Sequence, residues 1–271
     1  MRFTFPLLFA LCASMAAPSG AVSLSEDSLT RMATADVVLL GEVHDNPAHH
    51  VTQADLVRRL QPAALVFEML TDAQASAITP DIRGNAGAVA QAVNWAESGW
   101  PDFAMYHPIF LAAPGAAIHG AAVPRDAARA AMQQGLAQAF GDGADRFGLT
   151  VPLDDREQAQ REALQAEAHC DALPDNLLPG MVDIQRLRDA RLAQVALAAF
   201  EQTGGPVVII TGNGHARADW GVPHYLRQAA PGITLFALGQ SEGARLLPGA
   251  FDAVIDAPIV ARPDPCEAFR N

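Results

Sequence analysis

The sequence predicts an α/β fold, in which a mostly parallel central sheet is flanked by helices and carries a helical insertion or lid. Short apolar runs recur along the chain without polar alternation, as expected for strands buried on both faces. Helical patterns separate these runs, and such alternation favours parallel strands joined by crossovers. Apolar residues make up 50% of the chain, which is enough for a substantial core.

Five apolar runs have the length and composition of buried strands, and a weaker sixth lies near 251–255. Most of the five lack the polar alternation of a strand with one wet face. The five runs are 36–40, 63–67, 117–123, 206–211 and 233–238.

Local signals also predict the helices between the strands. Asn46 followed by Pro47 is a typical helix start, because asparagine caps the first turn and proline fits its first position. A second helix is predicted to open at 124–126, and the segment 156–169 is strongly helical. The clearest amphipathic pattern covers 184–200, and the Gly-Gly-Pro that follows predicts its end.

The first 21 residues have the pattern of a signal peptide, which predicts a periplasmic or otherwise exported protein. Arg2 precedes an apolar stretch at 5–15 that is too short to span a bilayer, and small residues follow. The alternative is a lipoprotein signal with a lipidated Cys12, which the bulky Leu11 before it disfavours. No other segment predicts a transmembrane span.

Residues 22–271 are predicted to form one α/β domain with helical insertions at about 71–110 and 126–204. Connections of this length are often functional. The first one is rich in aromatic residues, which could form part of the core or a wall for a planar ligand. These aromatic residues are Trp95, Trp100, Phe103, Tyr106 and Phe110.

Two cysteines remain beyond the signal peptide, Cys170 and Cys266. An oxidising, exported context favours a disulfide between them, and two buried free thiols are the alternative. The net charge of −12 argues against binding to nucleic acid or to anionic membranes.

Acidic, basic and histidine residues follow the predicted strands at their carboxyl ends. Glu42 and His44 follow the first strand, Glu68 the second, Arg125 the third and His215 the fourth. Ligands of open α/β folds bind in the crevice beyond this edge of the sheet. A buried carboxylate needs a partner or a cation, so we expect these side chains to meet there.

Three interpretations of this cluster follow from its chemistry. His44, Glu68 and His215 could hold a divalent metal such as zinc or manganese. Alternatively, the cluster is catalytic, with His44 as a general base that a carboxylate such as Glu42 orients. The third interpretation is a purely structural hydrogen-bonded network.

Other residues are candidate haem ligands. His169 and Met181 have side chains that ligate haem iron, although Met181 fits a core position equally well. The two tyrosines, Tyr106 and Tyr225, could ligate ferric iron as phenolates. The chain has no Cys-x-x-Cys-His attachment motif, so any haem would be held non-covalently.

Several segments together carry a resemblance to a known family. They include GEVHDNPAHH at 41–50, LVFEM at 65–69, WPDFAMY at 100–106 and VVIITGNGHARADWGVPHYL at 207–226. In this order they resemble the ChaN family, the haem-binding group of bacterial exported proteins and lipoproteins within the Tiki/TraB/erythromycin-esterase superfamily. GEVHDN and GNGHAR are specific in combination, whereas neither is specific alone.

The resemblance implies an α/β core with a helical insertion, haem binding and a role in iron acquisition. It also implies a tyrosine as axial ligand, and Tyr106 lies in the matching stretch. His169, Arg125 and Arg188 are further candidates for haem contact. A homodimer that encloses paired haems is left open.

The wider superfamily includes metal-dependent proteases and esterases. Their acid/histidine cluster corresponds here to Glu42, His44, Glu68 and His215. The alternative function that the resemblance implies is therefore a metal-dependent or histidine-driven hydrolase that uses these four residues.

Overall fold

The computed structural model describes residues 24–269, so the predicted signal peptide and Cys12 lie outside the described residues. In this described part of the chain, six parallel strands form one sheet, which confirms the predicted α/β class. In chain order the strands are β1 (Val37–Glu42), β2 (Ala64–Phe67), β3 (Ala117–Gly120), β4 (Val207–Gly212), β5 (Leu235–Glu242) and β6 (Ala253–Ala257). Their order across the sheet is β3-β2-β4-β1-β5-β6.

One helix precedes β1, and the others lie in the connections between the strands. They are α1 (Glu26–Ala33), α2 (Pro47–Leu60), α3 (Asp72–Ser76), α4 (Ala86–Ala92), α5 (Phe103–Ala112), α6 (Arg125–Gln134), α7 (Leu136–Phe140), α8 (Asp155–Ala168), α9 (Leu178–Thr203), α10 (Asn213–Ala216) and α11 (Val222–Ala229). Short 3-10 turns cover Trp95–Glu97, Asp175–Leu177 and Pro265–Phe269. Within residues 24–269, none of the helices combines the length and apolarity that crossing a membrane requires.

The helix that follows β1 begins as its sequence predicts. The Asn46 side chain accepts a hydrogen bond from the Ala48 amide at 2.9 Å, and Pro47 occupies the first turn. The α9 helix extends the predicted 184–200 segment at both ends and stops at Gly204, which adopts a left-handed conformation with φ 77°. Because α9 has 26 residues, its amino-terminal half reaches beyond the short strands to the carboxyl edge of the sheet.

The sheet separates two apolar cores. In β1, Val38 and Leu40 face the layer built from α1 to α5, whereas Val37 and Leu39 face the layer of α6, α7, α9 and α11. The interior strand β4 alternates in the same way. Burial on both faces explains why these strands appear in the sequence as continuous apolar runs.

The chain leaves β1 and β2 toward one face of the sheet, whereas it leaves β4 toward the other face. The chain passes from β1 to α2 and from β2 to α3 in the first layer, but from β4 to α11 in the second layer. Because β4 lies between β2 and β1, a crevice opens at its carboxyl end, where the chain diverges. The residues that follow β1, β2 and β4 therefore lie close together at this crevice.

The third strand ends earlier than its sequence suggests. We expected a strand over 117–123, but β3 ends at Gly120 because its neighbour β2 already ends at Phe67. Beyond that point the Ala121 amide still bonds to the Phe67 carbonyl at 3.0 Å, and the Ala122 amide reaches the turn at Leu70 at 2.8 Å. The strand β3 therefore ends together with β2, the strand with which it pairs.

The fifth strand, in contrast, extends four residues past the predicted end at 238. Its last residues are polar yet buried, because each has a partner inside the protein. The Gln240 side chain donates to the Gly41 carbonyl at 2.7 Å, and Ser241 donates to Asp256 at 2.7 Å. Hydropathy alone does not reveal strand residues of this kind.

The carboxyl-terminal segment crosses the edge of the sheet where β1 and β5 end. The guanidinium of Arg262 donates to Asp45 at 2.6 Å and to both carboxylate oxygens of Glu242 at 2.6 and 2.7 Å. Further along, Cys266 forms the predicted disulfide with Cys170, which lies just after α8. The disulfide and the ion pairs therefore hold the tail beside the carboxyl edge.

Candidate functional site

Glu42, the last residue of β1, is a buried carboxylate with several hydrogen-bond donors. Its side chain lies on the same face as Leu40, toward α2 and α5. Its Oε1 accepts from the Tyr106 hydroxyl and from His44 Nδ1, both at 2.8 Å. Its Oε2 accepts from Gln53 at 2.8 Å, and the charge is therefore well compensated although the residue is buried.

His44 lies at the surface of the crevice. Its Nδ1 donates to Glu42, while its Nε2 has no hydrogen-bond partner among the residues described. The side chain is 37% exposed, and the ring edge packs against Trp100 with centroids 4.8 Å apart. Burial lowers the pKa of His44, but the hydrogen bond to Glu42 and the charges of Glu68 and Glu42 raise it above its usual value.

A second group of charged side chains, formed by His215, Glu68 and Asp189, lies beside the Glu42–His44 pair at the end of β4. His215 donates from Nδ1 to Asp189 at 2.6 Å, and its Nε2 lies 3.4 Å from an oxygen of Glu68. The other oxygen of Glu68 accepts from the Thr211 hydroxyl at 2.7 Å and from the Gly212 amide at 2.8 Å. A protonated imidazole thus bridges two carboxylates.

The electrostatics of this triad follow from its burial and its charges. Burial lowers the pKa of His215, but the two adjacent carboxylates outweigh it and raise that pKa to about 10. Burial raises the pKa of Glu68, yet the charge of His215 outweighs it and the net pKa is well below the usual range. For Asp189 burial dominates, and its pKa is raised despite the contact with His215.

The Glu42–His44 pair and the Glu68–His215–Asp189 triad meet at Gly212, where a side chain would crowd His44. A Cβ atom there would lie 3.0 Å from His44 Nε2 and 3.8 Å from Glu68. Because this position has no side chain, the imidazole that follows β1 can lie directly against the turn after β4. The structure therefore brings Glu42, His44, Glu68 and His215 together at one edge of the sheet.

The remaining predicted site residues lie apart from this cluster. Arg125 and Arg188 are exposed, on the first turn of α6 and on α9 respectively. His169 ends α8, and its Nδ1 donates to the Gln165 carbonyl at 2.8 Å. Among the residues described, no hydrogen bond joins these three side chains to the four clustered residues.

Both tyrosines are internal. Tyr106 is 0% exposed and Tyr225 is 2% exposed. Burial and the negative charge of Glu42 raise the pKa of Tyr106, so its hydroxyl is a neutral donor. Ligation of haem by Tyr106 would require this side chain to leave its hydrogen bond and reach the surface.

The predicted zinc or manganese site at His44, Glu68 and His215 is not supported. Within residues 24–269, no group of three or more histidine, cysteine, aspartate or glutamate side chains is arranged to hold a metal ion. His215 already has a carboxylate beside each ring nitrogen, with Asp189 2.6 Å from Nδ1 and Glu68 3.4 Å from Nε2, and the other oxygen of Glu68 accepts two hydrogen bonds.

Two residues that contact His215 were not assigned to this cluster from the sequence. Asp189 and Gln185 contact His215 at 2.6 and 2.9 Å from α9, 26 and 30 residues earlier in the chain. Neither follows a strand, so the strand-end argument does not reach them. An acidic residue within the amphipathic 184–200 segment was the available signal.

The fold and the site define a class of protein: an all-parallel α/β domain with carboxylate-paired histidines at the ends of its central strands. A family model described as haem-binding uptake, Tiki superfamily, ChaN matches residues 28–226. The chain belongs to this family, which confirms the resemblance found in the sequence.

One solved structure shares the fold over most of both chains. It is described as cofacial heme binding to ChaN of Campylobacter jejuni, with a TM-score of 0.64 and 20% sequence identity. The match covers 85% of this chain and 90% of that one. No curated protein matches the sequence.

Proposed function

We propose that this protein binds haem non-covalently, and that it serves as an exported protein in haem or iron acquisition. Membership of the ChaN family supports haem as the ligand. The signal-peptide pattern of residues 1–21 supports export, and the family description as an uptake group supports acquisition.

The observation that carries the proposal is the environment of His44. Histidines that ligate a metal usually donate their other ring N–H to a carboxylate, which fixes the ring and increases its basicity. The Nδ1 of His44 makes this bond to Glu42, and its Nε2 is left without a partner in the described part of the chain. The residues present therefore fit the binding of a haem iron that approaches Nε2 of His44 from the crevice.

The surroundings of His44 also fit a large planar ligand. The indole of Trp100 packs edge-on against the imidazole and is itself half-buried, so it offers an apolar wall beside the ligand nitrogen. The haem iron would supply the Lewis-acid centre. Glu42, in turn held by Tyr106 and Gln53, would keep His44 oriented and hold the proton of the neutral imidazole on Nδ1, which leaves the lone pair on Nε2.

A haemin titration followed through the Soret band tests the ligand assignment. We expect wild type to give a ligated spectrum and His44→Ala to lose it. His224→Ala, an exposed histidine on α11, is the matched control and should behave as wild type.

Parallel titrations of Tyr106→Phe and His169→Ala separate the alternative ligands. We expect both variants to keep the wild-type spectrum. An unchanged spectrum in His44→Ala, together with its loss in Tyr106→Phe, would move the ligand to the tyrosine. Gel filtration with and without haemin tests the homodimer that the family resemblance implies.

The pH dependence of haemin affinity gives an independent test. A proton and the iron compete for Nε2, and the pKa of His44 is raised above 6.5. We therefore expect affinity to fall as the pH is lowered, with the fall beginning above pH 6.5. Affinity that is constant between pH 5 and 8 would contradict ligation by this histidine.

A histidine-driven hydrolase is the second candidate function. An imidazole oriented by a carboxylate, with one nitrogen free, also has the geometry of a general base. Hydrolysis of p-nitrophenyl acetate by the haem-free protein tests it. A rate that His44→Ala reduces to the level of the uncatalysed reaction would favour this function, and a rate equal in both proteins would exclude it.

A further inference from the structure

A cavity of about 150 Å³ lies between α8, α9 and the turn after β4, and the proposed haem site does not use it. It is lined by a combination of apolar and charged side chains. These include Arg161, Leu164, Gln185, Asp189, Arg217 and Trp220. A cavity of roughly this volume holds one benzene-sized molecule, so haem is too large for it.

Two arginines line the cavity, and both are largely buried. Arg161 and Arg217 are 6% and 9% exposed, and their guanidinium carbons lie 5.0 and 3.9 Å from the centroid of the Trp220 ring. Each guanidinium uses Nε and Nη2 in a bond to a nearby carboxylate, on Glu157 and Asp219 respectively. The Nη1 of each has no hydrogen-bond partner among the residues described.

The two free Nη1 groups are not enclosed by protein. Some buried side-chain atoms of the described residues have no hydrogen-bond partner, but neither Nη1 atom is one of them. Two fixed cationic donors that border the same small space are the arrangement that binds a carboxylate.

The lining of the cavity also includes a hydrogen-bond acceptor. Asp189 gives one carboxylate oxygen to His215, while its other oxygen has no hydrogen-bond partner in the described part of the protein. The side-chain amide of Gln185 also lines the cavity and lies 2.9 Å from Nδ1 of the same histidine. Leu164 and Val182 complete the lining with apolar surface. A ligand with an ammonium group therefore finds an acceptor in the same cavity as the two arginines.

We propose that this cavity binds a small zwitterion of the size of a free α-amino acid. Its carboxylate lies on the Nη1 atoms of Arg161 and Arg217, its ammonium faces Asp189, and a short apolar side chain contacts Leu164 and Val182. A ligand with only one of the two charges would leave either the two Nη1 atoms or the second oxygen of Asp189 without a hydrogen bond, at a cost in affinity.

Isothermal titration of the full haem-free chain with L-valine tests the proposal. Two analogues serve as probes of the charges: isovalerate lacks the amine, and isobutylamine lacks the carboxylate. We expect valine to bind at least about tenfold more tightly than either analogue. The absence of valine binding, or equal affinity for isovalerate, would overturn the zwitterion assignment.

Variants of the lining residues locate the site. We expect Arg161→Met to weaken valine binding about tenfold or more. Arg146→Met is the matched control, because this arginine is 50% exposed and pairs with Glu201 on the surface. Equal weakening in both variants would show that the effect is not due to this cavity.

If the loss of the buried Arg161 side chain unfolds the protein, a variant that fills the cavity still tests the proposal. Gly214 lines the cavity, and a Cβ atom there meets no atom within 4 Å. Gly214→Leu should therefore fold, as shown by its circular dichroism spectrum, and lose valine binding because its side chain occupies the space. A folded Gly214→Leu protein that binds valine as well as wild type would contradict the proposed site.

Discussion

Replacement of His215 by glutamine removes the positive charge that lies between two buried carboxylates. The imidazole is 2.6 Å from Asp189 and 3.4 Å from Glu68, and all three side chains are almost fully buried. Glutamine keeps a polar side chain but cannot carry a charge. The variant therefore leaves two carboxylates close to each other without a cation between them.

The structure sets the size of the expected loss. The rise in the pKa of His215 from 6.5 to about 10 corresponds to roughly 5 kcal/mol of interaction with the protonated form. The unfavourable burial of the Asp189 carboxylate offsets part of this interaction energy. Removal of one partner of a buried ion pair typically costs about 3–5 kcal/mol, and we expect a loss in the free energy of unfolding of that size.

The loss should depend on pH in a defined direction. A histidine whose pKa is raised on folding stabilises the protein fully below its unfolded pKa of about 6.5, and this stabilisation disappears as the pH rises toward 10. The difference between wild type and His215→Gln is therefore largest at pH 6. It should shrink to about 1–2 kcal/mol at pH 9.

Urea unfolding followed by circular dichroism at pH 6 and pH 9 measures both quantities. His224→Gln, at an exposed position of α11, controls for the loss of a histidine as such and should change stability by less than about 0.5 kcal/mol. A loss below about 1 kcal/mol in His215→Gln at pH 6, or the same loss at both pH values, would refute this account of the triad.

Three further predictions concern stability, each measured by urea unfolding at pH 7. Reduction of the Cys170–Cys266 disulfide, which joins residues 96 positions apart, should cost about 2–4 kcal/mol, whereas the double serine variant should not respond to reductant. Gly41→Ala should cost about 1–3 kcal/mol, because its Cβ would lie 2.8 Å from a backbone oxygen of β5, and Gly84→Ala, with open space around it, should be nearly neutral. Tyr106→Phe removes a hydrogen bond to the carboxylate at the end of β1 and should cost about 1.5–3 kcal/mol; an unchanged midpoint would show that this bond contributes nothing.

The fold class could be predicted from the sequence because strands buried on both faces have a characteristic composition. The apolar runs at 36–40 and 206–211 became β1 and β4, and the Asn46-Pro47 signal marked the start of α2. The ends of β3 and β5 could not be predicted. They depend on where the neighbouring strand stops and on partners for buried polar groups such as Gln240.

The candidate site divides in the same way. The four residues Glu42, His44, Glu68 and His215 could be grouped from the sequence because each follows a strand, and the carboxyl ends of parallel strands share one edge. The sequence did not show which of these side chains form hydrogen bonds or ion pairs with each other. Glu42 pairs with His44 and Tyr106, whereas Glu68 pairs with His215, and only their positions in space determine this.

The sequence by itself determined the α/β class, the edge of the sheet that carries the site and the family, since these depend on local composition and on short motifs. Only the tertiary structure showed that Tyr106 is an internal donor, that Asp189 completes the charged triad, and that His44 keeps one nitrogen free. Strand order and helix docking bring together residues far apart in the chain. The protonation of a buried group depends on those neighbours rather than on its position in the sequence.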